Sequence, residues 1–373
     1  MIVGRAAVFV EPYRFEITEL PPVAVQAGGI RVKVTSGGIC GSDLHFWRGE
    51  IKPILTGKQG PVILGHEMTG FVDSMGEGIT TDSIGKPLKE GDRVVFAYFF
   101  PCMRCYNCLR GELNHCPTRF RFRASIEEFP YCNGGFSDYY YLFPGHFVFK
   151  VPDELPDEAL GAANCAASQV VYGLRQANLQ MGDTVVVQGA GGLGIHATAT
   201  AKDMGAGEVI VIDGLSNRLQ LAKQCGADHT ININEYTTPE SRVERVKELT
   251  GVRGGADVVV EVVGYPQVVP EGIDMVRRGG VYLEVGNIFP ESNVTLDVSK
   301  VLWGQVRIVP VTHYDPYILP VTLDFLARSK DRYPLTSVMS HSFPLEQIGK
   351  AFEKAEWSGK GTETAITRAF VTT

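Results

Sequence analysis

The sequence predicts an α/β protein: a doubly wound parallel sheet domain, flanked in the chain by the two parts of an irregular β-rich domain. Three observations carry that expectation. From Thr184 onward, apolar strand-like runs alternate with helical stretches, the pattern of parallel βαβ units. Before Pro156, short β-rich runs are broken by Pro12, Pro21, Pro22, Gly28 and Gly29. Roughly the last sixty residues carry Pro310, Pro316, Pro320, Pro334 and Pro344 and lose the βα rhythm, so they are expected to rejoin the first domain. At 373 residues the chain is past the size at which one core keeps growing, which also favours two domains.

The elements follow in order. Ile30, Val32 and Val34 alternate with Arg31 and Lys33, as in a half-buried strand. Residues 38–45, GICGSDLH, bring a thiol, a hydroxyl, a carboxylate and an imidazole together beside glycines; this is either a tight turn around a buried cysteine or a site. Residues 46–54 read as a loop or short helix, and residues 60–70, GPVILGHEMTG, place His66 and Glu67 at the end of an apolar run. Residues 116–135, in which Arg119, Arg121 and Arg123 alternate with Phe120 and Phe122, read as a loop lying over the domain or as a solvated face. After Pro156, the Ala-rich stretch 157–178 has acidic residues first and no proline, which predicts one helix. Strands at 184–188 and 208–213, helices from about Gly192 and Asn217, and strands at 257–262 and 281–285 complete the alternating half.

Composition narrows the function. A net charge of −7 with interspersed basic residues leaves no electrostatic footprint for nucleic acid. No run of about 18 apolar residues is present, so no membrane partner is expected, and the N-terminus shows no charged leader followed by an apolar run. The expected location is the cytoplasm. Of eight cysteines, four crowd between Cys102 and Cys116, which suits a metal better than a secretory disulfide framework.

Three motifs carry chemistry. Residues 184–194, TVVVQGAGGLG, set Gly189, Gly191 and Gly194 in a G-x-G-x-x-G pattern after an apolar strand, with Gly192 and Leu193 opening the helix. Such a loop turns tightly, lets a pyrophosphate approach the backbone and presents helix N-terminal amides. Asp213, about twenty residues on, can accept from both ribose hydroxyls and repels a 2′-phosphate, so NAD is favoured over NADP, with Arg218 the nearby cation. His196, early in the helix, reads as a helix-face residue. The second motif, Cys102-x2-Cys105-x2-Cys108-x7-Cys116, can close a tetrahedral structural zinc site, with Pro101 and Gly111 helping the loop fold back and His115 outside it. The third is dispersed: Cys40, His66, Glu67 and Cys165 can form an open zinc site that polarises an alcohol or carbonyl oxygen.

GGICGSDLH, GHEMTG, the four-cysteine loop, GAGGLG and Asp213 occur in an order and spacing that resemble the zinc-dependent medium-chain alcohol dehydrogenases over nearly the whole chain. The resemblance implies a GroES-like catalytic domain at 1–166 and 313–373 around a Rossmann domain at 167–312, assembled as a homodimer or homotetramer. It implies Cys40, His66 and Cys165 as ligands of a catalytic zinc beside Glu67, and a second, structural zinc. Other members use a carboxylate in place of Cys165. Ser42 is implied as the hydroxyl that takes the substrate proton and passes it through the nicotinamide ribose to His45, with Asp43 orienting the loop. Trp47, Tyr98 and Phe136 fall at positions similar to the family's substrate cleft, which points to a bulky hydrophobic, cyclic or aromatic alcohol or its aldehyde or ketone. Two departures stand out: Gly41 replaces a pyrophosphate-binding arginine of several relatives, and TETAITRAF near the C-terminus does not clearly supply the usual basic residue near the cofactor.

Alternatives within the superfamily are a polyol dehydrogenase, an enzyme for CoA-linked or other anionic alcohols docking on Arg119, Arg121 and Arg123, and a zinc-independent reductase of double bonds or quinones. From another class, an NAD-binding sensor keeps the glycine loop and the cysteine loop but has no use for a Ser42–His45 relay.

Overall fold

The computed structural model describes residues 4–21, 23–51, 60–120, 125–356 and 367–373. The chain divides into two compact units. The first comprises Met1–Cys165, Asp315–Ala327 and Met339–Thr373, and the second Ala166–Tyr314 and Arg328–Val338. Residues 328–338 thus belong with the second unit, whereas the sequence reading assigned them to the first.

The first unit is built on a seven-stranded sheet, mostly antiparallel, ordered His341–Pro344, Ala369–Thr372, Ile30–Gly38, Glu67–Met75, Arg93–Phe96 and Val148–Lys150, with Tyr139–Leu142 also on Ile30–Gly38. A three-stranded sheet, Arg14–Leu20, Gly4–Glu11 and Val62–Ile63, completes it. Between them lies a core that includes Trp47, Phe136, Tyr141 and Phe352. One register matters for function: Gly38 pairs with Glu67 and Gly37 with Met68. The residues just beyond Gly38 and just before Glu67 therefore leave the same end of neighbouring strands.

Two local readings need correction. Residues 41–45 are the start of the helix Gly41–Trp47, not a turn, because Cys40 caps it and the Asp43 carboxylate accepts the Cys40 N–H at 2.9 Å. The stretch 157–178 is not one helix but Asp157–Leu160, a π-helical segment Ala163–Ala167 and then Ser168–Gln176. The extra residue per turn of the π segment resets the helical phase at Cys165, a change that apolar periodicity does not encode.

The second unit is a six-stranded parallel sheet in the order His229–Asn232, Glu208–Asp213, Thr184–Gln188, Ala256–Glu261, Val276–Glu284 and Arg307–Pro310. Its central strands are Val-rich and fully buried, as a sheet covered on both faces requires. Chain order reverses between Thr184–Gln188 and Ala256–Glu261, so the crevice outside their carboxyl ends is the ligand position of such folds. The short polar strand His229–Asn232 and the edge strand Arg307–Pro310 carry too little apolar pattern to be read from the sequence.

Candidate active site

The register that aligns Gly38 with Glu67 gathers Cys40, His66, Glu67 and Cys165, whose ligand atoms all lie within 4.8 Å of one another. Gly38 has to be a glycine: a Cβ there would lie 2.7 Å from the Gly161 carbonyl and 2.8 Å from Glu67 Oε2. Asp43 organises the cluster from the first turn of its helix. Its carboxylate also accepts the Gly65 N–H at 3.2 Å and stands 3.5 Å from His66 Nδ1, which leaves the other imidazole nitrogen for the cluster.

The electrostatics of these groups call for a cation. A hydrogen bond from the Cys165 thiol, outweighing burial, holds Cys40 well below the ordinary thiol range and pushes Cys165 well above it. Burial opposes charge on His66, but Asp43 and the Cys40 thiolate carry its pKa up to about 10. Burial pushes Glu67 up to about 7 against the pull of Arg368. Glu67 Oε2 is ion-paired with Arg368, while Oε1 is buried with no hydrogen-bond partner. Two sulfurs, an imidazole and an orphaned carboxylate oxygen form a donor set that zinc accepts, displacing the protons the thiols otherwise share.

Arg368, in the C-terminal segment, joins the cluster without being among the expected site residues. Its side chain is 7 % exposed and faces Glu67, so this basic residue serves the cluster itself. Residues 362–366 of TETAITRAF lie outside the described residues.

Of the three proposed cleft aromatics, Tyr98 packs its ring on His66 with centroids 5.0 Å apart, and Phe120 stacks on Tyr98 at 6.3 Å. Trp47 and Phe136 are core residues instead. Phe136 is fully buried against Gly65 and Phe352, and Trp47 packs on Tyr13 and Phe352. Large apolar rings gain more from core burial than from a cleft wall. Arg119 donates to the Cys116 carbonyl at 3.0 Å and lies over the Phe120 ring; Arg121 and Arg123 lie outside the described residues.

Ser42 and His45 sit three residues apart on the helix Gly41–Trp47, hence on one face. His45 Nδ1 is 2.6 Å from Glu50 Oε2. A Cβ on Gly41 would meet nothing within 4 Å.

The sulfurs of Cys102, Cys105, Cys108 and Cys116 also lie within 4.8 Å of one another, in a loop that Gly111 turns at φ +82°. Backbone N–H donation pulls Cys102 down to about 6, whereas burial pushes Cys108 up to about 12. His115 is exposed and outside the group.

In the second unit, Gly189 turns at φ +96° and leads into the helix Gly192–Asp203, with Leu193 in its first turn. A Cβ on Gly194 would lie 1.9 Å from the Gly189 carbonyl, while one on Gly191 would meet nothing within 4 Å, so the loop keeps an open space in front of the helix N-terminus. Asp213 accepts the Ala190 N–H at 2.7 Å and the Leu215 N–H at 2.8 Å, tying the glycine loop to the next strand end. Burial lowers the pKa of Arg218 against the attraction of Asp213. His196 Nδ1 bonds the Gly192 carbonyl at 2.8 Å inside the helix.

Residues 26–153 match the alcohol dehydrogenase GroES-like domain and residues 192–328 the zinc-binding dehydrogenase family. The chain belongs to the zinc-dependent medium-chain dehydrogenases. Among its relatives, 5-exo-hydroxycamphor dehydrogenase of Pseudomonas putida is 34 % identical, covering 94 % of this chain and 95 % of its own. Sorbitol dehydrogenase of Bacillus subtilis is 33 % identical over 94 % and 93 %. The crystal structure of an alcohol dehydrogenase from Thermotoga maritima superposes with a TM-score of 0.88 at 30 % identity, covering 100 % of both chains. This dehydrogenase is therefore an enzyme acting on small-molecule alcohols or carbonyls. Among the described residues no helix is long and apolar enough to cross a membrane.

Proposed function

We propose that the protein is an NAD-dependent alcohol dehydrogenase with two zinc ions per chain, oxidising a bulky hydrophobic cyclic, aromatic or secondary alcohol or reducing the corresponding carbonyl. The observation that carries the reading is the buried cluster of Cys40, His66, Glu67 and Cys165 with its orphaned carboxylate oxygen. Cys40, His66 and Cys165 hold the catalytic metal, Glu67 stands by to exchange at it, and Cys102, Cys105, Cys108 and Cys116 hold the structural one. When bound, zinc supplies a Lewis acid that lowers the proton affinity of the substrate oxygen, and NAD supplies the hydride acceptor. Ser42 Oγ takes the proton from the substrate hydroxyl, and His45 delivers it to solvent.

The open space at Gly191 and the amides of the following helix suit a pyrophosphate, which needs no arginine at position 41 there. Asp213, with lone pairs remaining on a carboxylate already anchored by two N–H groups, favours ribose hydroxyls over a 2′-phosphate. Arg218 flanks that position. Tyr98 and Phe120 give the cleft an aromatic wall, and the relative acting on 5-exo-hydroxycamphor supports a bulky ring. The sorbitol dehydrogenase relative supports a polyol as the second reading. Cysteines given to metal rather than to disulfides suit a reducing compartment, hence the cytoplasm. The exposed edge of the parallel sheet supports a homodimer or homotetramer.

Metal analysis together with an NADH-absorbance panel of terpenoid, benzylic, aliphatic and polyol alcohols tests this. Two zincs per chain, faster turnover of cyclic alcohols and a preference for NAD are expected, with Cys40→Ala abolishing turnover. Full activity in metal-free protein, or better turnover with NADP, overturns the corresponding part, and polyol preference selects the second reading.

A further inference from the structure

We propose that Glu50 is a positioning residue of the proton relay, holding the His45 ring so that Nε2 is the nitrogen that exchanges the substrate proton; this rests on the roles given to Ser42 and His45 above. After the helix Gly41–Trp47 the chain folds back on itself, and the Glu50 N–H donates to the His45 carbonyl at 3.0 Å. That turn returns the Glu50 side chain to the ring it follows by five residues, with Oε2 at 2.6 Å from Nδ1. A carboxylate only accepts, so the hydrogen of this bond sits on Nδ1 and the lone pair of the neutral ring sits on Nε2.

Glu50 is itself held. Arg48 donates to the same Oε2 at 2.9 Å, and its other guanidinium nitrogens bond Glu356 at 2.8 and 3.1 Å. The Arg48 side chain is only 9 % exposed, so this brace is anchored in the fold, and the His45 side chain, 14 % exposed, keeps a path to solvent. The step balances without any change of oxidation state in the relay. The neutral imidazole takes a proton at Nε2, the imidazolium is stabilised by the unchanged Glu50 carboxylate, and the proton leaves to water. An unpaired ring would divide between two tautomers, and the one with hydrogen on Nε2 cannot accept the proton there.

The test compares Glu50→Gln, His45→Gln and the double variant in steady-state alcohol oxidation, with a long-range proton–nitrogen spectrum of histidine-labelled protein, the His45 signals being assigned by their absence in His45→Gln. Each single variant is expected to lower kcat about tenfold with KM within about twofold, and the double variant to be no slower than His45→Gln. In the spectrum, wild type shows a single His45 tautomer with Nδ1 protonated, and Glu50→Gln shows a mixture. A wild-type kcat in His45→Gln overturns the relay and this role with it. A slowed His45→Gln beside an unaffected Glu50→Gln, or an unchanged tautomer in Glu50→Gln, overturns the role of Glu50 alone and leaves the relay standing.

Discussion

At the scale of single residues, the glycines of the dinucleotide loop separate two demands that one motif merges. Gly194 is required by the fold, because any side chain would collide with the Gly189 carbonyl; Gly191 is not, because nothing lies near its missing Cβ. Gly194→Ala is therefore expected to cost about 1–3 kcal/mol of stability, as overpacking does, while Gly191→Ala leaves stability within about 0.5 kcal/mol. The methyl of Gly191→Ala instead occupies the space in front of the helix N-terminus, so its affinity for NADH should drop at least about tenfold. Denaturant unfolding and fluorescence titration with NADH check both; undiminished NADH binding by Gly191→Ala would count against the pyrophosphate position.

At the scale of elements, the turn before the strand Val148–Lys150 is pinned by a histidine that does no chemistry. His146 bonds the Ala97 carbonyl at 2.6 Å and stacks on Phe100 at 5.1 Å, and burial lowers its pKa to about 4. Because the folded value lies below the ordinary value of 6.5, the stability this residue contributes is complete above pH 6.5 and is lost as pH falls through about 4. The loss is of the order of 3 kcal/mol. His146→Gln retains a donor for Ala97 but no titration. The difference in urea midpoint between wild type and variant should therefore shrink between pH 7 and pH 4, and a difference independent of pH would refute the assignment.

At the scale of the whole molecule, the parallel sheet ends, among the described residues, on Arg307–Pro310, where Ile308 is exposed. The preceding helix Val298–Gly304 exposes Val298, Leu302 and Trp303, the tryptophan by 75 %. An open strand edge beside an apolar helix face is a surface that a second copy can cover. Trp303→Glu combined with Leu302→Lys is expected to lower the mass measured by light scattering to that of a smaller species while zinc content stays the same. An unchanged mass would count against this surface as a subunit interface.

Much of this was legible in the sequence wherever function depends on local spacing. The glycine loop, the cysteine loop and the apolar βα rhythm each close over short stretches, so residue order alone pointed to the family, the parallel sheet and the four-cysteine group, while Cys40, His66 and Cys165 were reached through the family resemblance. What depended on distant segments meeting was not legible. Trp47 and Phe136 read as cleft residues from their family positions, which do not tell one apolar environment from another, and packing put them in the core. Arg368 lies some three hundred residues from Glu67, and only the parallel and antiparallel pairing of the last strand brings them together. The sequence by itself determined which chemistry the chain carries, because most of those side chains sit in short motifs of characteristic spacing. The tertiary structure alone decided which groups support them, Asp43 behind His66, Arg368 behind Glu67 and Glu50 behind His45, because such supports need only to arrive in space.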